Sequence, residues 1–334
     1  MPDRPFAREP PVVSELRAEL DPTLVAVLGP PYPLVYAGES SGDDYPGFAR
    51  AASAIRRWQE KRVVVQDDVN VFGLLGTRPG EALEPLLLPR GSAGRRRFEA
   101  AIGNKRGKLD LEAALVLPDG RFLAFGSGSL PARERIVLIA PGAAPQLRNA
   151  SDLYARLRSH VAFSGSELNL EGALVRGAGI ELFQRGNGAA SAELQPVNAV
   201  GTLALDEFLR WLDSSGPAPD LCRVVRVDLG YHAGVPFGFT DATLRAGGGV
   251  AFLAVAEASP DALRDGPVLA SRLGLLDDAG ARLAHIVDEH GQACTLKLEG
   301  IDAYPEDAAL FDVVADMDDP DVASLGAVLR LCSR

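Results

Sequence analysis

Acidic residues recur in this sequence at one phase of a repeat. "LDLEAALVLPDGRFLAFGSGS" (109–129) and "LNLEGALVRGAGIELFQRGNG" (168–188) match almost position for position. "GFTDATLRAGGGVAFLAVAE" (238–257) and "LKLEGIDAYPEDAALFDVVADMDD" (296–319) are further copies, and "RAASAIRRWQEKRVVVQDDVN" (50–70) is a weaker fifth. This alignment puts Glu112, Glu171, Asp241 and Glu299 at one position, with Ser53 in the weaker copy. Four converging carboxylates with amides nearby, such as Asn169 and Asn187, are the oxygen ligands that Ca2+ or another divalent cation takes. A metal would also offset their mutual repulsion. The competing reading is structural. Each acid would accept backbone N–H bonds or pair with Lys108, Lys297 or Arg185, and so lock one repeat to the next.

More chemistry-bearing residues sit near the repeat bends. Asp67 and Asp68 are candidate acid/base groups, although Asp is also an ordinary turn former. Arg185 is either a counter-ion for the acids or an anchor for a ligand carboxylate or phosphate. Asn187 and Ser127 join it as candidate substrate contacts. His232, in "GYHAGVPFGFTDA", leads toward Asp241 and is the candidate general base, because histidine titrates near neutrality.

The elements that must position these residues are strands. The anchors are spaced 59, 59, 70 and 58 residues apart, a near-constant period that signals a repeat architecture. Each unit alternates short apolar runs with Gly- or Asp-containing turns such as "PDGR" and "AGGGV", which supply the backbone that tight hairpins need. Three or four such strands per unit suit an all-β fold, a β-propeller with five blades. Six blades stay open, because "TLVAVLG" and "PLVYAG" in residues 10–45 also read as strands. The units start near 51, 110, 169, 239 and 297 of a single domain spanning 1–334. Residues 1–50 form a closing segment, whose run "VVSELRAEL" would complete the last unit. The longer gap before Asp241 holds "LDEFLRWLDSSGPAPD", whose apolar spacing predicts a short helix. In a propeller the first strand of each blade lines the axis, so the anchor acids would meet there.

Composition narrows the function classes. The chain has 334 residues, 47% of them hydrophobic, and a formal net charge of −11. That balance argues against nucleic acid as a partner. Three cysteines without metal or disulfide spacing, no secretory signal and no membrane-length apolar run lead to the expectation of a soluble cytoplasmic protein. "GSGSLP" (126–131) precedes a strand rather than a helix, so no nucleotide cofactor is expected. "GESSG" (38–42) fits a nucleophile elbow, but too few residues precede Ser40 for the parallel sheet that motif requires.

The "LEG/LEA … GNG" pattern resembles the propeller superfamily that includes strictosidine synthase, the gluconolactonase type and the bacterial esterase-like phytase domain. "DLEAALVLPDGRFLAFGSGS", "LNLEGALVRG" and "GFTDAT" look like an uncharacterised bacterial family of such propellers. The resemblance covers about residues 45–332 and implies that Glu112, Glu171, Asp241 and Glu299 ligate a channel metal. The chain lacks the His–His pair of the phosphotriesterase-type members. The expected function is a metal-dependent hydrolase of an ester, lactone or phosphoester acting on a small molecule. The alternative is a non-catalytic ligand- or protein-binding module with an acidic structural channel; no protein partner is identified.

Overall fold

Short runs of β-branched, aromatic and alanine residues, broken by tight turns, set the local structure throughout. The computed structural model describes residues 10–38, 44–91, 94–259, 266–277 and 279–333. Ser40 lies outside them. A long strand β1 (Val12–Leu28) and a short β2 (Tyr32–Pro33) precede five antiparallel groups. The first group is β3 (Ala52–Trp58), β4 (Lys61–Gln66), β5 (Val71–Leu75) and β6 (Glu84–Leu87). The second is β7 (Leu111–Val116), β8 (Phe122–Gly126), β9 (Arg135–Ile139) and β10 (Gln146–Asn149). Helices α1 (Ser151–Ser159) and α2 (Val161–Ser164) lead to the third group. That group is β11 (Leu170–Arg176), β12 (Gly179–Gln184), β13 (Ala199–Ala204) and β14 (Leu221–Asp228), with α3 (Leu205–Leu212) inserted at the expected place. The fourth follows a two-residue β15 (Tyr231–His232) and comprises β16 (Val235–Leu244), β17 (Val250–Glu257), β18 (Val268–Asp277) and β19 (Gly280–Asp288). The fifth has β20 (Lys297–Tyr304), β21 (Asp307–Asp316) and β22 (Leu325–Ser333). The fold is all-β.

The N-terminal strand does more than complete one group. Leu24–Leu28 pairs antiparallel with β22 and supplies the fourth strand of the fifth group. The same strand runs parallel to β19, and its first residues, Val12–Arg17, run parallel to β14. The residues that complete the fifth group are therefore in "TLVAVLG", which from sequence could also be a sixth-unit strand, and not "VVSELRAEL". Burial explains the exchange: Ala26 and Leu28 are buried in an apolar cluster, whereas Val12 and Val13 are exposed.

The first strands of the groups are neighbours around a cycle. β3 lies against β7 and β20, β7 against β11, β11 against β16, and β16 against β20. Five apolar clusters fill the spaces between adjacent groups, the largest being that between the second and third groups, where Tyr154, Phe163 and Phe208 of the helices are fully buried. The first and fifth groups are also joined by Arg62 and Asp312, 2.6 Å apart, with side chains no more than 2% exposed.

Each first strand carries a β-bulge at the same place. The register skips Ser53, Glu112, Glu171, Thr240 and Glu299 in turn. A bulge leaves one residue unpaired and re-aims its side chain. The fourth anchor is thus Thr240, not Asp241, and the sequence alignment was one residue out there. With Thr240 the spacings become 59, 59, 69 and 59. The residue after each bulge is small in four groups, Ala54, Ala113, Gly172 and Gly300. The first strands approach so closely that a Cβ on Gly300 would lie 2.8 Å from the Ile55 nitrogen. Asp241 is the exception at this position.

Asp241 points to the axis, where it meets Arg56. The Arg56 guanidinium donates to both carboxylate oxygens, at 2.6 and 2.8 Å. It also donates to the carbonyls of Ile55, Ala114, Ala173, Ala242 and Ile301, at 2.6–3.3 Å. These five carbonyls stand two residues beyond the five bulges, one on each first strand. Burial works against the guanidinium charge, but Asp241 outweighs it and holds the Arg56 pKa above its ordinary value.

Removing one partner of a buried ion pair strands the other and typically costs about 3–5 kcal/mol. Arg56→Met is expected to lower stability by about that amount in urea denaturation. Arg56→Met combined with Asp241→Asn should cost clearly less than the sum of the two single changes. Additive losses would show that the axial pair is not coupled.

Candidate functional site

Four of the bulged residues, Ser53, Glu112, Glu171 and Glu299, and the bends after β4, β12, β17 and β21 line a cavity of about 460 Å³. Eleven carboxylates and six cationic side chains line it, so negative charge is in excess. Glu112, Glu171 and Glu299 reach it from their bulges. Ser53 and Thr240 do not contribute charge. Their hydroxyls donate to the carbonyls of Leu111 and Leu298, at 2.5 and 2.7 Å, and tie each first strand to the next.

The wall built by the third, fourth and fifth groups sets Arg185 and Lys297 among its acids. Arg185, after β12, lies across β16, where Gly238 leaves room: a Cβ there would sit 2.8 Å from the Arg185 Cγ. From that position it bonds Glu257 at 2.5 Å and lies 3.3 Å from Glu171 and 3.9 Å from Glu299. Lys297, two residues before the Glu299 bulge, reaches Asp318 at 2.8 Å and stands 3.8 Å from Glu299 and 3.9 Å from Glu257. Asn169, at the matching position of β11, donates to Glu171 at 2.7 Å and to Asn187 at 3.2 Å.

The opposite wall is built by the first and second groups. Lys108 contacts Asp67 and lies 2.6 Å from Asp110. Arg133 holds the other Asp110 oxygen at 2.7 Å, with help from the Ser127 hydroxyl. Arg50 bonds Asp68 through its Nε at 2.9 Å and Glu99 at 2.5 Å. Asp67, Asp110 and Glu112 each place one carboxylate oxygen within 4.8 Å of the others, the single such trio among the described residues.

Environment divides these acids into two classes. Asp110 is held below the usual carboxylate range, since Lys108 and Arg133 overcome its burial. Glu257 is lowered likewise by Arg185 and Lys297. Burial raises five more: Asp68 to about 6, Glu171 and Asp316 to about 7, and Glu112 and Glu299 well above the ordinary value. Neighbouring acids add to the burial of Glu112, while Arg185 and Lys297 only partly relieve Glu171. Three carboxylate oxygens, Asp67 Oδ1, Asp68 Oδ1 and Glu299 Oε1, accept no hydrogen bond.

The structure thus brings together Glu112, Glu171, Glu299, Asp67, Asp68, Arg185 and Asn187 from the sequence candidates. Asp241 is outside the cavity on Arg56, because its strand bulges one residue earlier. Ser127 is fully buried behind the wall, where it orients Asp110. His232 lies outside as well, on the β15–β16 hairpin with its ring near Phe237. Sequence reasoning did not select Asp110 or Arg133. Asp110 carried a legible signal: it stands two residues before a bulge, in phase with Asn169 and Lys297. Arg133 carried none, since it comes from a 3-10 turn without counterparts in the other repeats.

Raised carboxyl pKa values mean that the folded protein binds more protons than the unfolded chain between about pH 4.5 and 7. Stability therefore falls as pH rises through that window, by up to about 1.4 kcal/mol per pH unit for each such proton. The melting temperature is expected to drop between pH 5 and pH 8, and Glu171→Gln should flatten the drop. A pH-independent melting temperature over that range would contradict the assigned environments.

No curated protein matches the chain. Among solved structures it is similar to the glutaminyl cyclase of Myxococcus xanthus, at 13% identity and a TM-score of 0.45 over 96% of this chain and 100% of the other. A protein of unknown function from Dyadobacter fermentans aligns at 12% identity and a TM-score of 0.40 over 93% of this chain and 100% of the other. The WD40 β-propeller domain of Doa1 aligns at 8% identity and 0.36 over 85% and 94%. Residues 49–331 match a family of unknown function, DUF6929, and the chain belongs to that family.

Proposed function

We propose that the five groups are the blades of a closed five-bladed propeller whose axial mouth binds a small cationic ligand. The observation that carries this reading is the set of three carboxylate oxygens in one cavity without a hydrogen-bond donor. An unsatisfied buried acceptor is costly, and a ligand bearing positive charge or N–H groups relieves it. The excess of carboxylates over cations favours the same class of ligand. The Arg56 plug closes the axis below, so ligand enters and leaves by one mouth. Arg185 directs its two terminal nitrogens to Glu171 and Glu257, which favours the counter-ion role over an anchor for an anionic ligand, while its Nε has no acceptor.

Melting at pH 7 in low salt, with CaCl2, MgCl2 and organic cations each set against NaCl at equal ionic strength, tests the reading. At least one cation should raise the melting temperature of the parent and do so less in Glu112→Gln or Glu299→Gln. No specific shift with any of them would sink it.

Hydrolysis is the second reading, favoured by the proximity of Asp67, Asp110 and Glu112. A divalent ion held by these three would polarise an ester, lactone or phosphoester oxygen. Glu171, poised near pH 7, has the proton affinity that a general acid or base needs at neutrality. Lys108 competes for the same carboxylates, so the ion has to displace its ammonium. Protein purified without chelator should then contain bound metal, lose melting temperature in EDTA and hydrolyse aryl esters or lactones. Glu171→Gln should reduce that hydrolysis by at least 100-fold, the scale of general acid–base catalysis; equal rates would refute its role.

A further inference from the structure

Two of the ammonium groups at the cavity, those of Lys108 and Lys297, show how its carboxylates receive a cation. Lys108 Nζ sits between Asp67 and Asp110. Lys297 Nζ bonds Asp318 and has Glu257 and Glu299 within 4 Å. Each is a primary ammonium facing two or three carboxylate oxygens from different strands or bends. The remaining acceptors are of the same kind. Asp67 uses Oδ2 on Lys108 and leaves Oδ1 without a donor. Asp68 uses Oδ2 on Arg50 and leaves Oδ1. The Glu299 side chain is 7% exposed, and its Oε1 accepts no hydrogen bond, since Lys297 and Arg185 stand 3.8 and 3.9 Å away.

One free oxygen per carboxylate, each beside a fixed protein cation, is a poor start for a Ca2+ shell. That shell gathers six to eight oxygens at 2.3–2.6 Å. An ammonium asks less: three N–H donors, each needing one acceptor near 2.9 Å. We propose that the ligand of this cavity carries primary ammonium groups, and that a short aliphatic diamine fits it best. One end would meet Asp67 and Asp68, and the other Glu299. The proposal rests on the cation-binding reading and names the ligand class within it.

Titration calorimetry at pH 7 in low salt with 1,4-diaminobutane, butylamine, tetramethylammonium and CaCl2 tests it. Expected is saturable one-to-one binding of 1,4-diaminobutane, at least tenfold tighter than butylamine, and none of tetramethylammonium, which has no N–H. Glu299→Gln and Asp67→Asn should each weaken diamine binding at least tenfold while keeping the parent's circular dichroism spectrum and a cooperative melt. Two variants at opposite walls guard against one that fails to fold. Diamine binding no tighter than that of tetramethylammonium, or unchanged in both folded variants, overturns the proposal. If CaCl2 binds and the amines do not, the ammonium assignment fails and the cation-binding reading survives. If nothing binds, both fail.

Discussion

One guanidinium constrains the centre of this fold. Arg56 touches the backbone of all five first strands and the Asp241 carboxylate. Five carbonyls at equivalent positions bring negative dipole ends together, and without a cation they would repel one another and lack donors. Water could serve such a ring only by filling the axis. Arg56 serves it with five N–H donors in a planar fork, which suits a ring of acceptors better than the point charge of a lysine. Asp241 completes the neutralisation. The positions of the first strands relative to one another, and hence of everything they carry, depend on this arrangement.

The bulge just before each carbonyl then decides what faces the mouth. It turns one side chain per group upward, and the groups use that side chain in two ways. Ser53 and Thr240 tie neighbouring strands together through hydroxyl bonds. Glu112, Glu171 and Glu299 face the cavity and need compensation. Protein cations provide part of it, from Lys108, Arg185 and Lys297, and burial still raises all three carboxyl pKa values. Acids held below the ordinary carboxylate range and acids raised above it therefore lie side by side in one cavity.

The repeat was legible because a strand at the axis tolerates little variation. Small residues follow four of the five bulges, and the hairpin turns need Gly or Asp, so "LEA", "LEG" and their turns recur at nearly constant spacing. The register slip at Asp241 has the same origin in reverse. An acid stood next to the expected place, and nothing in one sequence says which of Thr240 and Asp241 a bulge will expose. Lys108 and Lys297 were legible as counter-ions because they flank the acids in sequence. Arg56 was not. It belongs to a repeat position otherwise filled by Leu115, Leu174, Thr243 and Asp302, and its contacts come from strands 58 to 245 residues away. The long β1 was misread for a related reason. Its partners β14, β19 and β22 lie far down the chain, and only their exposed edges determine which half of it is buried.

Repetition and chemistry are therefore carried by different residues here. The features that repeat, namely bulge, small neighbour and axial carbonyl, build a nearly symmetric frame. A symmetric frame alone would present five identical side chains to the mouth and a ring of unsatisfied carbonyls below them. The features that occur once break that symmetry at specific sectors. Arg56 and Asp241 close the axis, Gly238 admits Arg185 into the fourth sector, and Asp110 recruits Lys108 and Arg133 in the second. Each departure either removes or installs a charge. Their sum leaves a cavity with cations on both walls and three carboxylate oxygens without a donor.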